Sequence, residues 1–272
     1  MNVSAAYIQE FVKKLDALDA NAKQVFKIET SKRNLEQRLS DGEAEAFQEV
    51  VDVARAVVAA NSRVASALSA QYYDGIREAS KVKSKYRAES YDTVDDDDLQ
   101  SAYFAVGKDY SSGRATVPLY SLMGDTSTRF TRYASNETVR RNAAKDPAKP
   151  KFAIYASPSA CAFCQMRAGL GYQYPSESEV ESHNHCKCQA VQVYGKSGIQ
   201  GYDPGAYEEK YFEAKRALDN GEISDELEYR IKEAKRRHDE KYAQAIAEGK
   251  KMKKWDKTNE ILMVWREREG IK

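Results

Sequence analysis

SDGEAEAFQEVVDVARAVVAANSRVASALSAQY (residues 40–72) reads as one long amphipathic helix. Phe47, Ala54, Asn61 and Leu68 recur every seven residues, with Val51, Val58, Ala65 and Tyr72 as a companion row. A stripe held over several heptads must bury itself against another helix. Ser40 and Glu43 mark its start, since they fit the S-x-x-E box in which each side chain satisfies the other's open backbone N–H. Upstream, Ile8, Phe11, Leu15, Leu18, Ala22 and Val25 follow the three–four spacing of a second amphipathic helix. Pairing the two predicts a long antiparallel helical hairpin. The charged stretch between them, SKRNLEQRLSDGE (residues 31–43), fits neither helix nor loop clearly.

Downstream the pattern loosens. VDDDDLQSAYFAVGKDY (residues 94–110) predicts a short helix with acidic residues in its first turn, where the helix dipole favours them. YSSGRATVPLYSLMGDTSTRF (residues 110–130) is rich in Ser, Thr and Gly and reads as loop. SNETVRRNAAKD (residues 135–146) reads as a further short helix capped by Ser135 or Asn136. The prolines of DPAKPK then mark a boundary. Strands are expected at Phe152–Tyr155 and Ala190–Tyr194. After a Gly-rich connector, Tyr207, Tyr211, Ala214 and Leu218 share a helix face that Asn220-Gly221 stops. Ser224 caps a helix carrying Leu227, Ile231 and Ala234, and Ile261, Leu262 and Trp265 belong to a last short one. The expected fold is mainly α: a long helical hairpin, a small zinc-knuckle α+β module and C-terminal helices. The corresponding segments are residues 1–145, 150–198 and 205–272.

The chain has 272 residues, 42% hydrophobic and 31% charged, with a net charge of +1. That balance suits amphipathic helices and gives no general affinity for nucleic acid or membrane. Asp95–Asp98 and the lysines at 250, 251, 253 and 254 are local charge blocks, read as solvated helix ends or loops. No apolar run reaches membrane-spanning length, and the first residues lack the apolar core of a signal peptide. A reducing site of synthesis is therefore expected, where cysteines serve as metal ligands more often than as disulfides.

All four cysteines and two of the three histidines fall between positions 161 and 188, as C-A-F-C and then H-N-H-C-K-C. A C-x-x-C turn can place two thiolates on one zinc ion, and the second cluster can close a tetrahedron. Cys161 and Cys164 are the firm candidates; His183, Cys186 and Cys188 compete for the other two places, with His185 behind them. Three other readings stand beside zinc: a redox C-x-x-C pair, disulfides in a mature extracellular particle, and a metal-free core cluster. A thiolate-rich set favours a closed, structural zinc site over a catalytic one. No H-E-x-x-H or deaminase signature accompanies it. His238, the one histidine outside the cluster, sits in a charged helix pattern and reads as a surface residue.

The stretch YASPSACAFCQMRAGLGYQYPSES…SHNHCKCQAVQVY resembles the cysteine–histidine module of the Mu F-like minor head proteins of tailed phages, most of all the branch from phages of actinobacteria. That module runs C-x-x-C, a variable insert, then H-x-x-C-x-C into a strand. Here the pattern falls on Cys161, Cys164, His183, Cys186 and Cys188, with Gly169, Gly171 and Tyr172 after the first pair. The resemblance implies a minor capsid protein made in the host cytoplasm and carried in the virion, inside the capsid or at the portal vertex. It would act in head assembly or DNA delivery and carry a structural zinc. The implied partners are the portal and other capsid or scaffold proteins, with packaged DNA as a further contact and no membrane. Relatives are sometimes labelled capsid maturation protease, so a protease is the alternative function, although no Ser–His–acid set supports an enzyme. A zinc-dependent nucleic-acid-binding module, touching DNA through KKMKKW and Lys187, is a third reading.

Overall fold

The apolar stripes of the sequence become the seams of long helices. The computed structural model describes residues 2–92, 94–157, 160–175, 188–249 and 252–271. Its helices are α1 (Ala5–Lys32), α2 (Leu35–Ser40), α3 (Ala44–Ala79), α4 (Asp96–Ser111), α5 (Leu119–Lys145), α6 (Ala162–Gly169), α7 (Pro204–Asp219), α8 (Asp225–Ala247) and α9 (Lys257–Glu269). The strands are β1 (Lys151–Tyr155) and β2 (Gln189–Val193), paired antiparallel with Phe152 opposite Gln192 and Ile154 opposite Ala190. No described helix is long and apolar enough to cross a membrane.

By contacts the described chain forms two units. The first holds residues 1–157 and 172–202; the second holds residues 158–171 and 203–272. In the first unit, α1 buries Ile8, Phe11, Leu15, Ala22 and Phe26, and α3 buries Val51, Ala54, Val58, Ala65 and Tyr72. The two run antiparallel: Phe11 stacks on Tyr72 with centroids 4.2 Å apart, and Asn61 Nδ2 donates to the Leu18 carbonyl at 3.2 Å. Leu99 and Tyr103 of α4, together with Leu119, Met123 and Phe130 of α5, complete this core.

Three sequence expectations change. First, the hairpin is a three-helix arrangement, because α5 packs along both α1 and α3. Residues 119–130, expected as loop, and residues 135–145, out of the stretch 135–146 expected as a separate short helix, are parts of α5, and Ser135 and Asn136 are buried in its interior rather than capping it. Second, Ser40 and Glu43 form no capping box. Gly42, at φ 79, ends α2 in a left-handed turn, and the Glu43 N–H bonds back to the Arg38 carbonyl at 3.0 Å. Ser40 Oγ instead donates to the Glu36 carbonyl at 2.9 Å, while Glu43 is the N-cap of α3 and its carboxylate takes Arg38 Nε at 2.7 Å. Third, the unassigned stretch contains α2, entered through Asn34 at φ 52, a conformation that Asn tolerates better than most residues.

In the second unit, α6, α7, α8 and α9 close around Trp265, with Ala162, Ala214, Ala217, Leu227, Ile231, Ile261 and Leu262 buried beside it. The expected cap holds here, since Ser224 Oγ accepts from the Leu227 N–H at 3.2 Å.

Candidate functional site

Cys161 is the N-cap of α6, with extended backbone at φ −69 and ψ 166, and Cys164 is the third helical residue, buried. Side chains at these two positions of a helix start face each other, which is why the capping box spans the same spacing. A C-x-x-C pair at this place offers two sulfurs to one ion at the positive end of the helix dipole, where a thiolate is favoured. Gln165 Nε2 secures the turn by donating to the Ala160 carbonyl at 2.9 Å. Ala162 and Ala168 anchor the helix in its unit's interior.

Cys188 belongs to the first unit, immediately before β2, and is buried. Its position is set by Asn136 of α5, whose Nδ2 donates to the Cys188 carbonyl at 3.3 Å while its Oδ1 accepts from the Ala190 N–H at 2.8 Å. His183, His185 and Cys186 lie outside the described residues. Among the described residues no group of three Cys, His, Asp or Glu side chains converges as a metal site. The donor types, soft thiolates with imidazole, are those that zinc takes in closed sites. A redox pair would also sit at a helix start, but the described strands pair antiparallel and form no βαβ unit. His238 is not a plain surface residue: it is half-buried, its ring edge-on to Trp255 with centroids 5.5 Å apart.

A second constellation lies in the first unit and has no counterpart among the sequence expectations. Helix α5 turns a polar face inward, with Ser127, Thr131, Arg132, Ser135, Thr138 and Asn142 all fully buried. Its hydroxyls bond locally, Thr131 Oγ1 to the Ser127 carbonyl at 3.2 Å and Thr138 Oγ1 to the Ala134 carbonyl at 2.8 Å. Ser69 Oγ donates to Ser135 Oγ at 2.8 Å, and Ser135 donates to Gln189 Oε1 at 3.2 Å, so the network ties α3 through α5 to β2. Buried Arg132 reaches α1, with Nη2 at 2.6 Å from Asp16 and 2.9 Å from Asp19. Buried polar groups with such partners fix one register of the helices, because a slipped register would leave them unsatisfied.

The network ends on Asp146, just past α5. Its carboxylate accepts from Tyr73 Oη at 3.1 Å, Tyr194 Oη at 3.0 Å, Arg77 Nε at 2.9 Å and the Ala148 N–H at 2.8 Å. Burial, with Asp146 and the neighbouring phenol alongside, pushes Tyr73 far above the usual tyrosine range, so it stays a neutral donor. Burial likewise raises Tyr86, to about 12. Burial works against the Arg77 charge, and the Asp146 carboxylate outweighs it.

Glu137 shows the opposite sign. Burial pushes its carboxyl up, but Arg140 at 2.7 Å and Arg141 at 3.2 Å outweigh burial and hold it below the usual carboxylate range. A depressed folded-state pKa gives stability that is present above the unfolded-state value and is lost as pH falls through the folded one. Glu137→Gln is therefore expected to cost about 1–3 kcal/mol near neutral pH. The difference from wild type should shrink on acidification below about pH 4, as read by urea unfolding across pH.

The model of the VG15 protein family matches residues 2–214, from the start of α1 into α7. This is a phage-related family. No curated protein and no solved structure matches the chain.

Proposed function

Because the chain belongs to the VG15 protein family, a phage-related family, we propose that it is a minor capsid protein of a tailed phage. It acts near the portal in head assembly or DNA delivery. The observation that carries this reading is the family match over residues 2–214, which spans both long helices and the C-x-x-C pair. The spacing of Cys161, Cys164, His183, Cys186 and Cys188 supports the finer placement beside the Mu F-like minor head proteins, which the spacing resembles.

A structural zinc completes the proposal, held by Cys161 and Cys164 with two donors from His183, Cys186 and Cys188. The placement of Cys161 as N-cap and Cys164 in the first turn of α6 supports the first half of that ligand set. The remaining donors follow from spacing alone. Zinc held there would supply no reaction; it would tie the C-x-x-C turn to the second cysteine–histidine cluster.

Long helices with register-fixed interiors suit a docking role, because they present a rigid outer face while the interior admits no slip. Cross-linking of assembling heads, read by mass spectrometry, tests the placement. Cross-links between lysines of this chain and the portal protein are expected. A chain that cross-links only to tail proteins, or to none of the particle's components, contradicts it.

A further inference from the structure

Between α3 and α4 the chain runs as a strap without helix or strand, and its side chains alternate. Lys81, Lys83, Lys85 and Arg87 are exposed, while Val82, Ser84, Tyr86 and Ala88 are half-buried beneath them. The inward residues are bonded to the helices. Arg77 Nη2 donates to Ser84 Oγ at 2.7 Å and also to the Ser84 carbonyl. Tyr86 Oη donates to Asn142 Oδ1 at 2.8 Å, and the Ala88 N–H donates to Asp74 at 2.9 Å. Asn142 then clamps Glu89 from both sides, accepting its N–H at 2.9 Å and donating to its carbonyl at 2.8 Å.

The outward residues have no such partners. None of the four cations makes an ion pair, hydrogen bond or ring contact with a described residue. Some cations elsewhere are answered by acids, as in Arg38–Glu43, Arg55–Asp96 and Arg140–Glu137, while others such as Lys13 and Lys32 are exposed without an acidic partner among the described residues. What sets these four apart is that they stand in one row on a strap held firmly from beneath, which offers a site for an external anion.

We propose that Lys81, Lys83, Lys85 and Arg87 form a contact strip for the phosphate backbone of duplex DNA. Lys83, Lys85 and Arg87 alternate outward along the strap, neighbours in the row being up to about 6.6 Å apart, while Lys81 sits at φ 53 in the turn that leaves α3. The four therefore form a compact basic row that can meet several neighbouring phosphates of one strand. The contact is with the backbone, so it reads no sequence. Fixing of the strap by Tyr86, Ser84 and Asn142 removes much of the ordering cost that four long side chains on a loose loop would meet. A lipid surface fits less well, because the apolar side chains of the strap, Val82 and Tyr86, face inward and leave nothing to insert. The strip is distinct from the Lys187 and KKMKKW segments. It stands independently of where in a particle the chain sits.

The test is binding of the full chain to a short random-sequence DNA duplex across a range of salt. Four phosphate contacts predict a slope of log affinity against log salt of about −3.6, or roughly a 100-fold loss between 50 and 200 mM salt. Replacing the four together (Lys81→Gln, Lys83→Gln, Lys85→Gln, Arg87→Gln) should remove nearly all of that slope, with thermal unfolding unchanged because the side chains point to solvent. A control removes the same charge elsewhere on the first unit (Lys13→Gln, Lys32→Gln, Arg63→Gln, Lys108→Gln) and should keep the wild-type slope. Absence of DNA binding by wild type at low salt overturns the proposal. So does a strap variant that keeps the wild-type slope, or a control that loses as much as the strap variant.

Discussion

Asp146→Ala is expected to lower the unfolding free energy by about 3–5 kcal/mol, the cost of leaving a buried charge without its partner. Arg77 is the stranded group, since its side chain is only 9% exposed and Asp146 is its counter-ion at 2.9 Å. Two phenol donors, Tyr73 and Tyr194, lose their acceptor in the same step. Each stranded buried polar group adds a desolvation penalty of its own. Asp146→Asn keeps an acceptor but removes the charge, and should fall between wild type and the alanine variant. Urea midpoints measure both. The effect also travels: Arg77 holds the strap at Ser84, so amide exchange at Ala88 and Glu89 should quicken in the alanine variant well below the denaturation threshold. A loss under 1 kcal/mol, with strap amides unchanged, would show that the Asp146 network does not hold the helices in register.

The second large effect concerns metal. About one zinc per chain is expected in the wild-type protein by elemental mass spectrometry, and close to none in Cys161→Ser, because structural zinc sites of small modules are bound with apparent free energies of about 10–16 kcal/mol and depend on every thiolate. Chelation should lower the thermal midpoint of wild type and leave that of the variant unmoved. A His185→Ala variant should keep its zinc, since His185 is the weakest candidate donor. Wild-type protein without metal would rule out a structural zinc. The C-x-x-C pair at the start of α6 would then be read as redox or disulfide chemistry.

Much of the α-helical frame was legible from apolar spacing. Ile8, Phe11, Leu15 and Ala22 are buried along α1, and Val51, Val58, Ala65 and Tyr72 along α3, as their three–four and seven-residue recurrences predict. Helix α5 was not legible, because much of what it buries besides Leu119, Met123 and Phe130 is polar. Ser127, Thr131, Ser135 and Asn142 carry no hydrophobic period, and the burial of Ser135 and Asn142 is stabilised by partners far away in sequence, Ser69, Gln189 and Glu89. A rule that sorts residues by hydropathy puts such a helix on the surface or in a loop. The Asp146 and Arg132 clusters were hidden for the same reason, each joining residues more than sixty positions apart.

For the candidate site the pattern was legible and the setting was not. Cys161 and Cys164 announce a paired donor by spacing, whereas their place as N-cap and first turn of a helix packed with α7 needs the fold. His183 and Cys186 lie outside the described residues, so their share of the site rests on spacing. The alternation of Lys81, Lys83, Lys85 and Arg87 stands in the sequence, but only the inward bonds of Ser84 and Tyr86 give it a direction.

A minor capsid role is tested most directly by the protein composition of purified, nuclease-treated phage particles, read by quantitative mass spectrometry. The chain is expected in mature particles at a low and fixed ratio to the major capsid protein, and already in heads isolated before tail attachment. Particles that lack it at every stage, while the infected cell contains it in soluble form, would contradict a minor capsid role.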